Sequence, residues 1–119
     1  MSNEEKVIIS QDLVQKWLFL VDNSEYAASW SAAAVYFQNN VTEQEWEKTL
    51  QGVRQPLGKT VSRQLASSHY ETSLPGAPDG EYVVTQYNTS FDNKQSAIET
   101  VTSMLNEDGK WKVAGYFIN

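Results

Sequence analysis

The sequence predicts an α+β domain in which three N-terminal helices pack on a curved four-stranded antiparallel sheet. Three observations support this. Apolar residues recur at helical spacing through the first half, up to Leu57. From Lys59 the chain turns to Thr, Val, Tyr and Ser, the residues that favour a pleated surface. The junctions "FDNK" and "NEDGK" carry the Asn and Gly that tight hairpins require, because those residues accept positive φ.

The first helix is expected after Ser10, an N-cap residue, with Leu13, Trp17 and Leu20 on one side and Val14, Leu18 and Val21 beside them. Residues 1–9 then read as a flexible N-terminal segment, and 10–119 as a single domain. "DNSEY" breaks the first helix. "SEYAASWSAAAVYF" predicts a second, placing Tyr26, Trp30, Ala33, Ala34 and Phe37 on one face. The third opens with a capping box, Thr42 with Glu45, and repeats the face through Trp46, Leu50, Val53 and Leu57 until Pro56 and Gly58 end it. These stripes read as core packing.

Strands are predicted near "KTVSRQLASSHYE", "EYVVTQYNTSF", "KQSAIETVTSML" and "KWKVAGYFI". Between the first two lies "SLPGAPDGEY", whose prolines bias Leu74 and Ala77 toward extended backbone. "PDG" there reads as a turn, so the stretch is expected to be a stiff connector; the alternative is a recognition loop using Asp79 and Glu81. If Asp92 and Asn93 form a two-residue turn, Phe91 pairs with Lys94, Tyr87 with Ile98 and Gln86 with Glu99. That register places Val84, Gln86, Glu99, Val101, Leu105, Trp111, Val113 and Phe117 against the helices. Val83, Tyr87, Phe91, Ile98, Met104, Tyr116 and Ile118 then form an apolar outer face suited to a sheet-to-sheet homodimer. A one-residue register shift, or a sheet curled over itself, is the alternative.

The 119 residues suit one domain and one core. With 40% hydrophobic, 20% charged and 12% aromatic residues the composition is globular. A net charge of −6 opposes binding to nucleic acid or to an anionic membrane surface. The absence of Cys excludes disulfides, thiol catalysis and thiolate metal sites. No apolar run approaches the length of a membrane span, and no signal-peptide pattern opens the chain. One His and scattered turn carboxylates predict no metal, and the glycines form neither a P-loop nor a dinucleotide fingerprint, so no cofactor is expected.

The strongest candidate for chemistry is Glu99, mid-strand on a face expected to be buried, with Gln86 opposite. It would serve as a pocket acid or base, or as the structural partner of Arg63 or Arg54. His69 and Tyr82 are weaker catalytic candidates. Arg54, Arg63, Gln86, Glu99 and Trp111 are candidate ligand contacts. Arg54 also suits the C-terminal end of the third helix electrostatically.

The runs "WLFLVDNSEYAASW", "VRQPLG", "SLPGAPDGEYVV", "ETVT" and "DGKWKVAGYFI" resemble a bacterial family known as domain of unknown function 4019, over about Asp12 to Ile118. The resemblance implies no activity, and it implies an exported protein, periplasmic or secreted. Helices followed by a curved sheet also resemble the cone-like nuclear transport factor 2-like and cystatin-like folds, which host both enzymes and silent binding modules. The expectation is therefore a non-catalytic binding or interaction module, dimeric through the sheet, with any small ligand held between helices and sheet. The alternative is a small isomerase or lyase using Glu99 with Tyr82 or His69.

Overall fold

The first helix starts a full two turns earlier than its periodicity suggests. In the computed structural model, which describes Met1–Asn119, α1 runs Asn3–Asp22. Ser2 caps it: its hydroxyl accepts the Glu5 N–H at 3.1 Å, and the Glu5 carboxylate accepts the Ser2 N–H at 3.3 Å. The segment expected to be flexible is thus helical from Asn3, and Ser10 is an interior position. Ser10 is fully buried and shares a hydrogen bond with Ser103 across the sheet. A serine in the core stripe hid the helix's first turns from a search for apolar spacing.

The second predicted helix is split, so four α-helices stand where three were expected. α2 spans Tyr26–Ser31 and α3 spans Val35–Asn40. Between them Ala34 is extended, and its N–H donates to the Val113 carbonyl at 2.7 Å, docking the chain on the sheet. A tertiary hydrogen bond has overridden helix propensity at a run of alanines. α4 spans Glu43–Val53 with the expected Thr42–Glu45 capping box, and a 3₁₀ turn follows at Gln55–Leu57.

The sheet consists of β1 (Thr60–Glu71), β2 (Tyr82–Phe91), β3 (Lys94–Leu105) and β4 (Trp111–Ile118), paired in the order β1-β2-β3-β4 and not closed. The fold class is α+β, as expected. The two-residue Asp92–Asn93 turn also forms, with Phe91 opposite Lys94.

Bulges then change the register. Between Phe91 and Thr89, β3 spends three residues against two on β2, so Tyr87 pairs with Glu99 and Gln86 with Thr100. A second extra residue, Ala114 on β4, leaves Val113 opposite Ser103 but sets Tyr116 opposite Val101 and Ile118 opposite Glu99. Each bulge reverses the faces beyond it. The predicted outer interface is corrected accordingly. Val83, Tyr87, Phe91, Tyr116 and Ile118 face the helices, and of the seven residues expected on that face only Ile98 and Met104 point outward. Val84, Gln86 and Phe117, expected inside, lie on the outer face.

The core gathers Val14, Trp17, Leu18 and Val21 of α1 with Trp46, Leu50, Tyr87, Val101 and Val113. Trp17 meets Tyr116 edge-on at 5.4 Å between ring centroids, and Trp46 meets Phe37 at 4.9 Å. Both buried indoles find partners at Ser29: Trp17 donates to its carbonyl at 2.8 Å and Trp46 to its hydroxyl at 2.9 Å. No helix is long and apolar enough to cross a membrane.

Candidate functional site

Glu99 lies on the inner face beneath α1, paired with Tyr87, and has no exposed surface. Its first oxygen accepts Arg63 Nε at 2.7 Å and the Thr89 hydroxyl at 2.6 Å. The second accepts Arg63 Nη2 at 3.1 Å and the Tyr116 hydroxyl. Arg63 reaches the other way as well, donating Nη1 and Nη2 to the two oxygens of Asp22 at 2.9 and 3.0 Å. One guanidinium is therefore clamped between two carboxylates, a planar fork used on both sides.

Arg54 completes the cluster. It donates to Asp22 at 3.3 Å, to the Thr60 hydroxyl at 3.1 Å and to the Gly58 carbonyl at 2.6 Å. Its guanidinium lies 4.6 Å from the centre of the Phe91 ring. Two carboxylates and two guanidiniums balance to zero charge, which is what a buried cluster needs. The cluster ties the end of α1, the end of α4 and all four strands.

The ionisation pattern follows from this geometry. Burial opposes the charge on Asp22, but Arg63, Arg54 and Thr60 outweigh it and hold the carboxyl below its ordinary value. Burial likewise opposes the charge on Arg63, and the hydrogen bonds and charges of Asp22 and Glu99 overcome it, so the guanidinium stays firmly protonated. Burial, and then the Glu99 charge, push the Tyr116 hydroxyl well above the usual phenol range. Tyr116 therefore remains a donor. Two buried polar atoms, Arg54 Nε and the Tyr87 hydroxyl, have no protein partner.

The predicted site residues separate into three places. Glu99, Arg63 and Arg54 meet in the buried cluster. Gln86 and His69 are exposed on the outer face, where Gln86 donates to the Thr100 hydroxyl at 3.2 Å. Trp111 is buried at the start of β4. Tyr82 is buried under the connector it was expected to follow: its hydroxyl donates to the Pro78 carbonyl, and Gly80 packs against its ring. "SLPGAPDGEY" thus closes over one end of the sheet, and Tyr36 of α3 reaches its Gly76 carbonyl at 3.4 Å. Glu99 bonds to Arg63, Thr89 and Tyr116 and not to Tyr82 or His69, the two residues named with it for the isomerase or lyase alternative.

Sequence reasoning missed Asp22, Thr89 and Tyr116 as members of the cluster. Asp22 carried a signal, since an acid in the last turn of a helix opposes the macrodipole and calls for a compensating cation.

Surface depressions lie away from Glu99. One of about 330 Å³, lined by Asp22, Asn23, Arg54 and Lys59, opens where α1 turns into α2. Another of about 320 Å³ is lined by hydroxyls and amides of the outer face, among them Ser62, Gln64, Asn88 and Ser96. The third, about 580 Å³, lies between α3, the connector and the β3–β4 turn.

A family model described as "Protein of unknown function (DUF4019)" matches residues 13–116. The chain belongs to this family. No curated protein matches it. The matched span holds the whole cluster, from Asp22 to Tyr116, so the cluster lies within the DUF4019 domain; the first turns of α1 precede it.

Proposed function

We propose that this DUF4019 domain is a non-catalytic interaction module that pairs with a second copy of itself through the outer face of the sheet. The carrying observation is the charge of that face. In a chain of net charge −6, the outward positions from Ser62 to His69, Tyr82 to Asn88, Ser96 to Met104 and Lys112 to Phe117 carry no acid, and the one acidic outward strand position, Glu71, stands at the far end of β1 opposite Tyr82. Two acidic proteins can approach face to face there without opposing carboxylates, and an isologous contact needs only this self-compatibility. Ile98 and Phe117, 42% and 55% exposed, supply apolar contact on the β3–β4 side, and the neighbouring Gln, Asn, Ser and Thr supply hydrogen bonds.

The inner cluster fits a structural role. Both Glu99 oxygens are fully engaged by donors, and the carboxylate lines none of the three depressions described above. A four-stranded face projects roughly 500 Å² at strand spacings of ~4.8 Å and rises of ~3.3 Å per residue. That is below the ~800 Å² per partner of a standard interface, so the pair should dissociate on dilution.

Sedimentation across a concentration series tests the reading. The mass should rise from 13.4 kDa toward twice that value with concentration. The Ile98→Lys, Phe117→Lys double variant should remain a monomer throughout while keeping its fold. A wild-type mass of one chain up to millimolar concentration would refute the proposal.

A further inference from the structure

The groove between α3, the connector and the β3–β4 turn differs in character from the outer face. Its volume of about 580 Å³ falls within the range of roughly 300–1,000 Å³ typical of ligand sites. Val35 and Tyr36 form one wall and Leu105 the end of the floor. Val35, at the start of α3, is 53% exposed, whereas Phe37 of the same helix is buried in the core. Carboxylates come to the groove from two elements, Asp79 from the connector and Glu107 and Asp108 from the turn. The Lys110 backbone N–H engages one oxygen of Asp108, and no Lys, Arg or His lines the groove.

The position of the connector is fixed from within. Tyr82 holds the Pro78 carbonyl, Tyr36 holds the Gly76 carbonyl, and the Gly80 N–H donates to the Thr72 carbonyl at 3.1 Å. The Leu105 N–H donates to the Glu81 carbonyl at 3.0 Å, which sets the end of β3 beside the connector. The connector and the end of β3 are thus held by hydrogen bonds to backbone carbonyls rather than by contacts between the carboxylates. A lining that combines apolar side chains with acids lacking a basic partner complements an extended segment that is apolar in the middle and cationic at its ends.

We infer that this groove docks a short basic segment of a protein partner, with an apolar side chain against Val35 and Leu105 and Lys or Arg beside Asp79 and Glu107. The charges select the segment and the apolar floor holds it. Because the carboxylates are exposed, each ion pair adds little, and the pairs weaken as salt shortens the screening length from about 10 Å at 0.1 M to about 3 Å at 1 M.

The test is a titration of ¹⁵N-labelled protein with a tetrapeptide, lysyl-leucyl-leucyl-lysine capped at both ends. Saturable shifts should appear at the amides of Val35, Tyr36, Gly80, Leu105 and Glu107 and should fade at high salt. The Asp79→Asn, Glu107→Gln variant should bind roughly fivefold to tenfold more weakly, as expected for two exposed pairs. Val35→Ser, at an exposed position that leaves the core intact, should weaken binding to a similar degree. The same peptide with glutamate in place of lysine should leave the spectrum unchanged. No saturable shift at millimolar peptide, an equal response to the glutamate peptide, or shifts confined to the outer sheet face would overturn the inference.

Discussion

Replacing Glu99 with Gln tests whether the buried cluster holds the domain together. The amide retains one oxygen and the shape of the side chain, but its nitrogen must face an Arg63 donor in either orientation, because Arg63 contacts both Glu99 oxygens, at 2.7 and 3.1 Å. The change also leaves the cluster with two guanidiniums against one carboxylate. Removing one partner of a buried ion pair costs about 3–5 kcal/mol. Asp22 still grips Arg63 through two hydrogen bonds, which places the expected loss near the lower limit, about 3 kcal/mol. At the ~4 °C per kcal/mol typical of a domain of this size, Tm should fall by about 12 °C.

Urea denaturation followed by tryptophan fluorescence is a suitable assay, since Trp17 contacts Tyr116, one of the Glu99 donors. Pairing Glu99→Gln with Arg63→Met removes one charge of each sign and should recover roughly 1–3 kcal/mol relative to the sum of the single losses. A loss below about 1 kcal/mol for Glu99→Gln, with additive double-variant energies, would refute the structural role and return Glu99 to consideration as a functional acid.

Three further outcomes are expected. Gly58 has φ 76° and ψ −155°, and an added Cβ would stand 3.0 Å from Asp92 Cβ, so Gly58→Ala should cost about 2–3 kcal/mol in chemical denaturation. Ser24 has φ 61° at the turn after α1, where the Glu25 N–H returns to the Leu20 carbonyl at 2.8 Å; Ser24→Gly should relieve left-handed strain and stabilise by about 0.5–1 kcal/mol. Asp22 has its folded pKa lowered from the ordinary 3.8, so its stabilisation is complete above that value and is lost as pH falls through the lower folded one. Asp22→Asn should accordingly flatten the fall of stability in acid, measured by denaturation at a series of pH values below about 5.

How far the sequence revealed this structure differs from element to element. The Thr42–Glu45 box and the Asp92–Asn93 turn are local chemistry, complete within a few residues, and both form as read. The start of α1 was hidden because its buried Ser10 is satisfied by Ser103, 93 positions later. The break at Ala34 was hidden for the same reason, since only the distant Val113 carbonyl makes an extended alanine favourable there. Glu99 was legible as a buried carboxylate, and Arg63 as its partner. Asp22 was legible only as an acid at a helix C-terminus in need of a cation; which cations was not, because its companions lie on β1 and beyond α4.

The two bulges connect these observations to function. Without the extra residue on β3, Tyr87 and Phe91 would face outward and Glu99 would oppose Gln86 rather than Tyr87. Without Ala114, Tyr116 would point away from Glu99, and the carboxylate would lose the hydroxyl that completes its donors. The same two residues that assemble the inner cluster therefore remove five large apolar side chains from the outer surface and leave it to Gln, Asn, Ser and Thr around Ile98 and Phe117. A face of that composition cannot bind by broad hydrophobic burial; its partner must match its hydroxyls and amides position by position. Deleting Ala114 provides a direct check, because restoring the regular register should turn Tyr116 outward and unsettle both faces at once. A deletion variant that kept wild-type stability and association would show that the bulge does not couple them.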